Sequence, residues 1–345
     1  MRAVVYQGPG KVAVEQVAEP KVVESTDAVV RVTLAGICGT DLHAVNGDFP
    51  GMTPGTVIGH EFVGEVVELG RGVQRIRLGD TVMASDFTAC GRCRWCDRAE
   101  HWHCSERAFF GTGTAFGPPL PGAQAEFVRV PHADKTLGLL PPACSAEAAL
   151  LMADNLATAW VAMERARTQP GETVAVIGGG AIGQLVALAA QTIGAGAVAV
   201  VEPSEQRRAF AQRHGSLAVH PDAAADLLAR LTDGDGADVV VEAVGASAAL
   251  DLSAALVRPC GRIVSVGAHV AERWDLPVAR AFREELTLSF AIGDAMRVRR
   301  RLLQVVTSGA LDPTVVIEAR GTLDQAPELY ARLGRQEILK AVVSP

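Results

Sequence analysis

Four cysteines crowd one short stretch of the chain, Cys90, Cys93, Cys96 and Cys104, with the spacing C-x2-C-x2-C-x7-C. Four thiolates so close in sequence can close a tetrahedral shell around a zinc ion at about 2.3 Å per sulfur. Such a shell has no open position, so the implied ion is structural and fixes a loop that lacks a core of its own. His101 and His103 fall inside the x7 stretch and are read as solvated loop residues rather than ligands. No basic stretch followed by an apolar run opens the chain, so the crowding is read as metal binding in a cytoplasmic protein rather than as disulfides. Cys144 and Cys260 are left over as reduced apolar filler.

A second constellation lies upstream. Gly36-Ile37-Cys38-Gly39-Thr40-Asp41-Leu42-His43 places a thiol, a hydroxyl, a carboxylate and an imidazole in one turn after a predicted strand. Gly59-His60-Glu61 follows another turn and opens the strand expected over Phe62 to Leu69. Either group alone is more often structural than chemical; with the thiolate lobe downstream, the pair points to a second metal site.

A third signal is a glycine turn. Val174 to Ile177 reads as a strand, Gly178-Gly179-Gly180-Ala181-Ile182-Gly183 gives G-x-G-x-x-G, and a helix is expected from near Gln184. Strand, turn and helix in that order suit a dinucleotide: Gly178 for the tight turn, Gly180 for approach of the pyrophosphate to the helix N-terminus, Gly183 for close helix–strand packing. Glu202 ends the next strand about twenty residues on, where an acidic side chain holds the adenosine ribose diol and repels a 2′-phosphate, which favours NAD over NADP. Arg207 and Arg208 temper that preference.

The elements that must carry these groups divide the chain. Short segments punctuated by Gly and Pro, at Arg2 to Tyr6, Val12 to Val17, Ala28 to Ala35, Phe62 to Leu69 and Thr81 to Ala84, predict a β-rich first part. From about Ala146 helical periodicity begins, and strands then alternate with helices, which implies a doubly wound parallel sheet. The segment Gly261 to Gly267 and the tail Ile338 to Val343 read as further strands. At 345 residues two domains are expected. The net charge of −7 argues against a nucleic-acid partner. The apolar stretch Thr173 to Val201 is too broken by glycines to be a membrane span.

The three motifs together resemble the zinc-containing medium-chain dehydrogenase/reductase family, whose alcohol dehydrogenases share G-x-C-x-T/S-D-x-H, G-H-E and the four-cysteine lobe; the resemblance runs the whole length of the chain. It implies an α/β fold with a GroES-like β-rich catalytic domain (1–153 and 290–345, zinc lobe 88–106) and a Rossmann NAD-binding domain (154–289), with the active site in the cleft between them. It implies two zinc ions per chain. Cys38, His60 and Asp154 would hold the catalytic one, with Glu61 beside it as an alternate ligand, and Cys90, Cys93, Cys96 and Cys104 the structural one. Asp154 departs from the Cys2His set of alcohol dehydrogenase and resembles the secondary-alcohol and formaldehyde dehydrogenase branch. By the same resemblance Thr40 would pass the substrate hydroxyl proton inward, His43 would hand it towards solvent, and Asp41 would orient His60. Thr158, Val244 and Val266 would line the nicotinamide, and Arg207 would lie near the adenosine.

The implied activity is reversible hydride transfer between an alcohol or carbonyl, of the secondary or polyol kind, and NAD, in a homodimer or homotetramer. Alternatives on the same fold are a carbon–carbon double-bond reductase, which keeps the cofactor site without the catalytic zinc, and a formaldehyde-oxidising member. A non-catalytic binding protein is the remaining rival. Phe109, Phe110 and Phe116 either reach the substrate pocket or pack their own loop.

Overall fold

The computed structural model describes all 345 residues, which divide into two compact units, Met1–Asp154 with Asp294–Pro345, and Asn155–Gly293. The first leg of the chain runs through β1 (Arg2–Gly8), β2 (Lys11–Gln16), β3 (Ala28–Ile37), β4 (Phe62–Leu69), β5 (Thr81–Ala84), β6 (Phe127–Val130) and β7 (Leu137–Leu139). The middle leg carries β8 (Thr173–Ile177), β9 (Ala197–Val201), β10 (Leu217–Val219), β11 (Ala237–Glu242), β12 (Val257–Ser265) and β13 (Thr287–Phe290). The last leg returns to the first unit with β14 (Ile317–Thr322) and β15 (Lys340–Ser344).

In the first unit β1 and β2 pair as an antiparallel ribbon, and the large sheet runs β14-β15-β3-β4-β5-β7, with β6 also on β3. Its strands alternate as a half-buried sheet should: in β3, Arg31 and Thr33 face out while Val30, Val32 and Leu34 are buried. Val30, Val32, Ile37, Phe62, Val66 and Val343 share one core, so the last strand of the chain packs with the first ones.

The second unit holds a six-stranded parallel sheet in the order β10-β9-β8-β11-β12-β13. That is the doubly wound dinucleotide-binding order, with the strand sequence reversing between β8 and β11. Strands covered on both faces need apolar side chains at every position, and all five residues of Thr173–Ile177 are buried.

Three expectations shift. The helix after the glycine turn begins at Ala181, not near Gln184, because Gly180 is its N-cap and Ala181-Ile182-Gly183 already form its first turn. The strand expected from Gly261 starts at Val257, since the register shift between Ala237 and Val239 absorbs Pro259, which reads as a breaker in sequence. The tail strand begins at Lys340 rather than Ile338. No helix is long and apolar enough to cross a membrane, and Thr173 to Val201 folds as strand, turn, helix and strand.

Candidate functional site

In the first unit β3 ends at Ile37 and the chain turns into the helix Gly39–Asn46, with Cys38 as N-cap. Asp41, in the first turn of that helix, accepts the Cys38 backbone N–H on Oδ2 at 2.9 Å. Its Oδ1 lies 2.9 Å from Nδ1 of His60, so one carboxylate both starts the helix and fixes the imidazole. The other ring nitrogen, Nε2, then faces Asp154 Oδ2 at 3.3 Å, and Cys38 Sγ lies 3.6 Å from the same oxygen. Asp154 gets there because two helices, Ala146–Ala153 and Asn155–Ala166, break at it, with φ −144° and ψ −70°. Candidate ligand atoms of Cys38, His60, Glu61 and Asp154 all lie within 4.8 Å of one another, and all four residues are buried.

Behind the imidazole, Gln124 donates to the Gly36 carbonyl at 2.8 Å and to Asp41 Oδ2 at 3.4 Å, and Tyr330 donates its hydroxyl to Gln124 at 2.9 Å. These two residues carry no sequence signal that ties them to Asp41. Lys340 carries one that was not read: it is the lone cation in the apolar run Ile338 to Val343. It is 1% exposed and its ammonium pairs with Oε2 of Glu61. Gly36 is what lets Glu61 in, since a Cβ there would fall 1.9 Å from Oε2. The other oxygen, Oε1, is buried with no hydrogen-bond partner.

The electrostatics ask for a cation. Burial raises the Cys38 thiol, and burial likewise raises the Glu61 carboxyl although Lys340 pulls it down. Burial works against a charged His60, yet the Asp41 carboxylate and the Asp154 hydrogen bond hold it well above the ordinary imidazole value. One ammonium faces a thiol and several carboxyls, an imbalance that a divalent ion bound to the deprotonated ligands would offset. The separations suit zinc: a tetrahedron with zinc-like bond lengths has nitrogen–oxygen and sulfur–oxygen edges of about 3.4 and 3.6 Å.

Thr40 and His43 share the helix Gly39–Asn46, half-buried, and no hydrogen bond joins them; the His43 Nδ1 lies 2.7 Å from Asp48. Aromatic rings border the constellation. Phe109 lies 5.2 Å from the His60 ring and 5.3 Å from Phe116, which lies 5.0 Å from Phe49. Phe110 instead turns into the core against Phe62.

The cysteine lobe brings Cys90, Cys93, Cys96 and Cys104 together. The Cys93–Cys96 and Cys90–Cys96 sulfurs are 3.6 and 3.9 Å apart, against about 3.8 Å for the edge of a zinc–thiolate tetrahedron. Backbone amides of Cys90, Gly91, Arg92 and Glu106 point at the sulfurs at 3.3 to 3.5 Å, as thiolates require. The N–H of Cys96 leads in holding the Cys93 thiol at about 6, while burial pushes Cys96 up to about 12. His103 is exposed, as read, but His101 is not solvated: it is buried, and both its N–H (3.1 Å) and its ring Nδ1 (2.9 Å) meet Asp294. A contact with a residue so distant in the chain leaves no trace in the local spacing.

In the second unit the glycine turn joins β8 to the helix Ala181–Ile193. Gly178 has φ +97°, and a Cβ on Gly183 would sit 1.9 Å from the Gly178 carbonyl, so both positions exclude a side chain. A Cβ on Gly180 would meet nothing within 4 Å, which leaves open space at the helix N-terminus. Glu202, buried at the end of β9, accepts the N–H of Gly179 at 2.6 Å and that of Ser204 at 2.8 Å. Arg207 Nη1 stands 4.0 Å from it. Val244 packs on Gly178 and is half exposed, Val266 follows β12, and Thr158 is buried against Gly293.

A GroES-like sheet with a thiol–imidazole–carboxylate cluster and a doubly wound sheet with a glycine turn into its first helix define the class of two-domain metal-dependent dehydrogenases. Residues 24–141 match the family model described as alcohol dehydrogenase GroES-like domain, and residues 181–308 match that described as zinc-binding dehydrogenase. The chain is 37% identical to a probable zinc-binding alcohol dehydrogenase of Mycobacterium tuberculosis, over 96% of this chain and 85% of that protein. It superposes with a TM-score of 0.95 on an alcohol dehydrogenase from Thermus sp. ATN1, at 36% identity over 100% and 99% of the two chains. A zinc-binding dehydrogenase from Sinorhizobium meliloti, solved bound to NADP, gives a TM-score of 0.86 at 28% identity over 100% and 99%. The chain belongs to the zinc-dependent medium-chain dehydrogenase/reductase family and is an oxidoreductase of the alcohol dehydrogenase type.

Proposed function

We propose that the protein oxidises a secondary alcohol or polyol, and reduces the matching carbonyl, with NAD as the partner in hydride transfer. The observation that carries this is the convergence of Cys38, His60 and Asp154 on one point inside a buried pocket, with Glu61 beside them. Cys38, His60 and Asp154 would hold a zinc ion, which supplies Lewis acidity towards an alcohol oxygen when bound. Glu61, paired to Lys340 through one oxygen and with the other oxygen unpartnered, is the alternate ligand. Asp41 keeps the His60 ring in the tautomer that presents Nε2 as a lone pair. Thr40 accepts the proton of the substrate hydroxyl, and His43 with Asp48 passes it towards solvent. Cys90, Cys93, Cys96 and Cys104 hold a second, structural zinc.

NAD, which supplies the hydride acceptor when bound, is held by the turn Gly178 to Gly183, including Ala181 and Ile182, with Thr158, Val244 and Val266 at the nicotinamide. Glu202 takes the ribose diol and Arg207 lies beside the adenosine. The complete ligand set argues against the double-bond reductase reading. Self-association into a dimer or tetramer is supported by the apolar residues bared near the edge strand β13, with Phe282 84% exposed and Phe290 59%.

The test counts metal and turnover together. The native chain is expected to hold two zinc ions and to reduce NAD with alcohols from a panel of secondary alcohols, polyols and formaldehyde, read as NADH absorbance. Cys38→Ala and Asp154→Ala are each expected to lose one zinc and at least about a hundredfold in kcat with the fold retained. Full activity in a one-zinc variant would end the assignment.

A further inference from the structure

One buried carboxyl beside the first-unit constellation is no part of the ligand set. Asp86 lies two residues beyond β5, and the β4–β5 register, Val63 opposite Met83, when continued past the strand ends sets it opposite His60. Its carbonyl accepts the Phe110 N–H at 3.2 Å, and the bridge between Phe87 and Phe109 brings in the ring that lies on His60. Asp86 is 4% exposed; its Oδ1 takes the Ser85 hydroxyl at 3.1 Å, while Oδ2, which takes no protein donor, is not one of the fully enclosed side-chain atoms. Burial first, and then the charge of Asp154, lift this carboxyl well above its usual range, while His60 pulls it down, so all three groups share one electrostatic neighbourhood.

A structural role accounts poorly for the group. The residues around it, Phe87, Phe109 and Phe110, are apolar and buried, and a carboxyl with a single hydroxyl partner is costly there unless something else completes its hydrogen bonding. It is not among the four residues whose donor atoms lie within 4.8 Å of one another, so it stands next to the metal constellation rather than in it. What such a position can complete itself with is a donor on the molecule being oxidised.

We infer that Asp86 is a specificity-determining residue that accepts, on Oδ2, the second hydroxyl of a vicinal diol whose first hydroxyl is the reacting one. The inference rests on the dehydrogenase reading of the neighbouring site. The apolar remainder of the substrate is received by Phe109, Phe116 and Phe49, whose rings form a continuous surface from His60.

The zinc-loaded protein is compared with Asp86→Leu and Asp86→Asn for kcat/KM on a vicinal diol and on the mono-ol of the same carbon skeleton. The ratio of the two is the readout, since it is indifferent to any loss common to both. The native chain is expected to favour the diol, and Asp86→Leu to lower the ratio at least about tenfold, the loss expected when a hydrogen bond to a buried carboxyl is removed. Asp86→Asn, which keeps an acceptor oxygen, falls between. An unchanged ratio in both variants overturns the inference, as does a native preference for the mono-ol. Calorimetric binding of the diol to the zinc-loaded protein with NADH present gives a reading independent of turnover: affinity should exceed that of the mono-ol and lose this margin in Asp86→Leu. If neither alcohol is oxidised, the dehydrogenase reading fails while this titration still decides the role of Asp86.

Discussion

At the scale of single residues, the most exacting contact in the first unit is the buried pair of Lys340 and Glu61. Neither side chain reaches water, so removing the ammonium strands a carboxylate whose other oxygen already lacks a partner. Lys340→Met is expected to cost about 3–5 kcal/mol of stability, since breaking a buried pair leaves an uncompensated charge. Adding Glu61→Gln should return part of the loss. Denaturant midpoints of the two variants check this, and a single variant as stable as the native chain would show that the pair is not a structural clamp. Asp41 is equally economical, capping a helix through one oxygen and orienting His60 through the other.

At the scale of elements, the glycine turn separates two uses of the same residue type. Gly183→Ala puts a methyl 1.9 Å from the Gly178 carbonyl, so the strand and helix must part. A loss of about 2 kcal/mol or more and a lower Tm are expected, as for other overpacked sites. Gly180→Ala meets nothing in the protein and is expected to leave Tm within a few degrees while weakening NADH binding at least about tenfold, because the methyl occupies the approach of the pyrophosphate. Melting curves and NADH fluorescence titrations on the two variants distinguish these outcomes; equal behaviour would mean that the turn does not hold the dinucleotide.

The turn was legible because its chemistry is local: strand, glycines and helix are consecutive, and continuous apolar runs such as Thr173–Ile177 announce a sheet covered on both faces. The Cys38, His60 and cysteine-lobe motifs were legible for the same reason. The short strands β6 and β7, of four and three residues, were not read, because too few side chains alternate to set a period. Asp86, Gln124 and Tyr330 escaped for a different reason. Each owes its place to pairing between strands or legs far apart in the chain, and spacing along the sequence carries no record of which carboxyl will face which imidazole.

At the scale of the whole molecule, the first unit is made of two legs of chain joined at several points. Asp294 is one: it accepts the His101 N–H, meets the His101 ring, and caps the helix Ala295–Thr307 through the Arg297 N–H at 3.0 Å. Asp294→Ala removes a cap and a charged partner together, and is expected to cost about 2 kcal/mol or more. Amide exchange should quicken at residues 101–104, and the zinc proposed for the cysteine lobe should leave faster in the presence of a chelator. Unaltered exchange there would mean that Asp294 does not hold the lobe.

The placement of β15 in the interior of a sheet that begins with β3 bears on how the protein is made. A nascent chain has Cys38 and His60 in hand early, yet the strand that pairs with Ile37 and brings the counter-ion of Glu61 is made only after every strand of the parallel sheet. The parallel sheet, whose strands are contiguous in the chain, can close before that point. The first unit holds its thiols beside an unpaired edge of β3 in the meantime, which makes the arrival of β15 a gate on when Cys38, His60 and Glu61 reach their native arrangement.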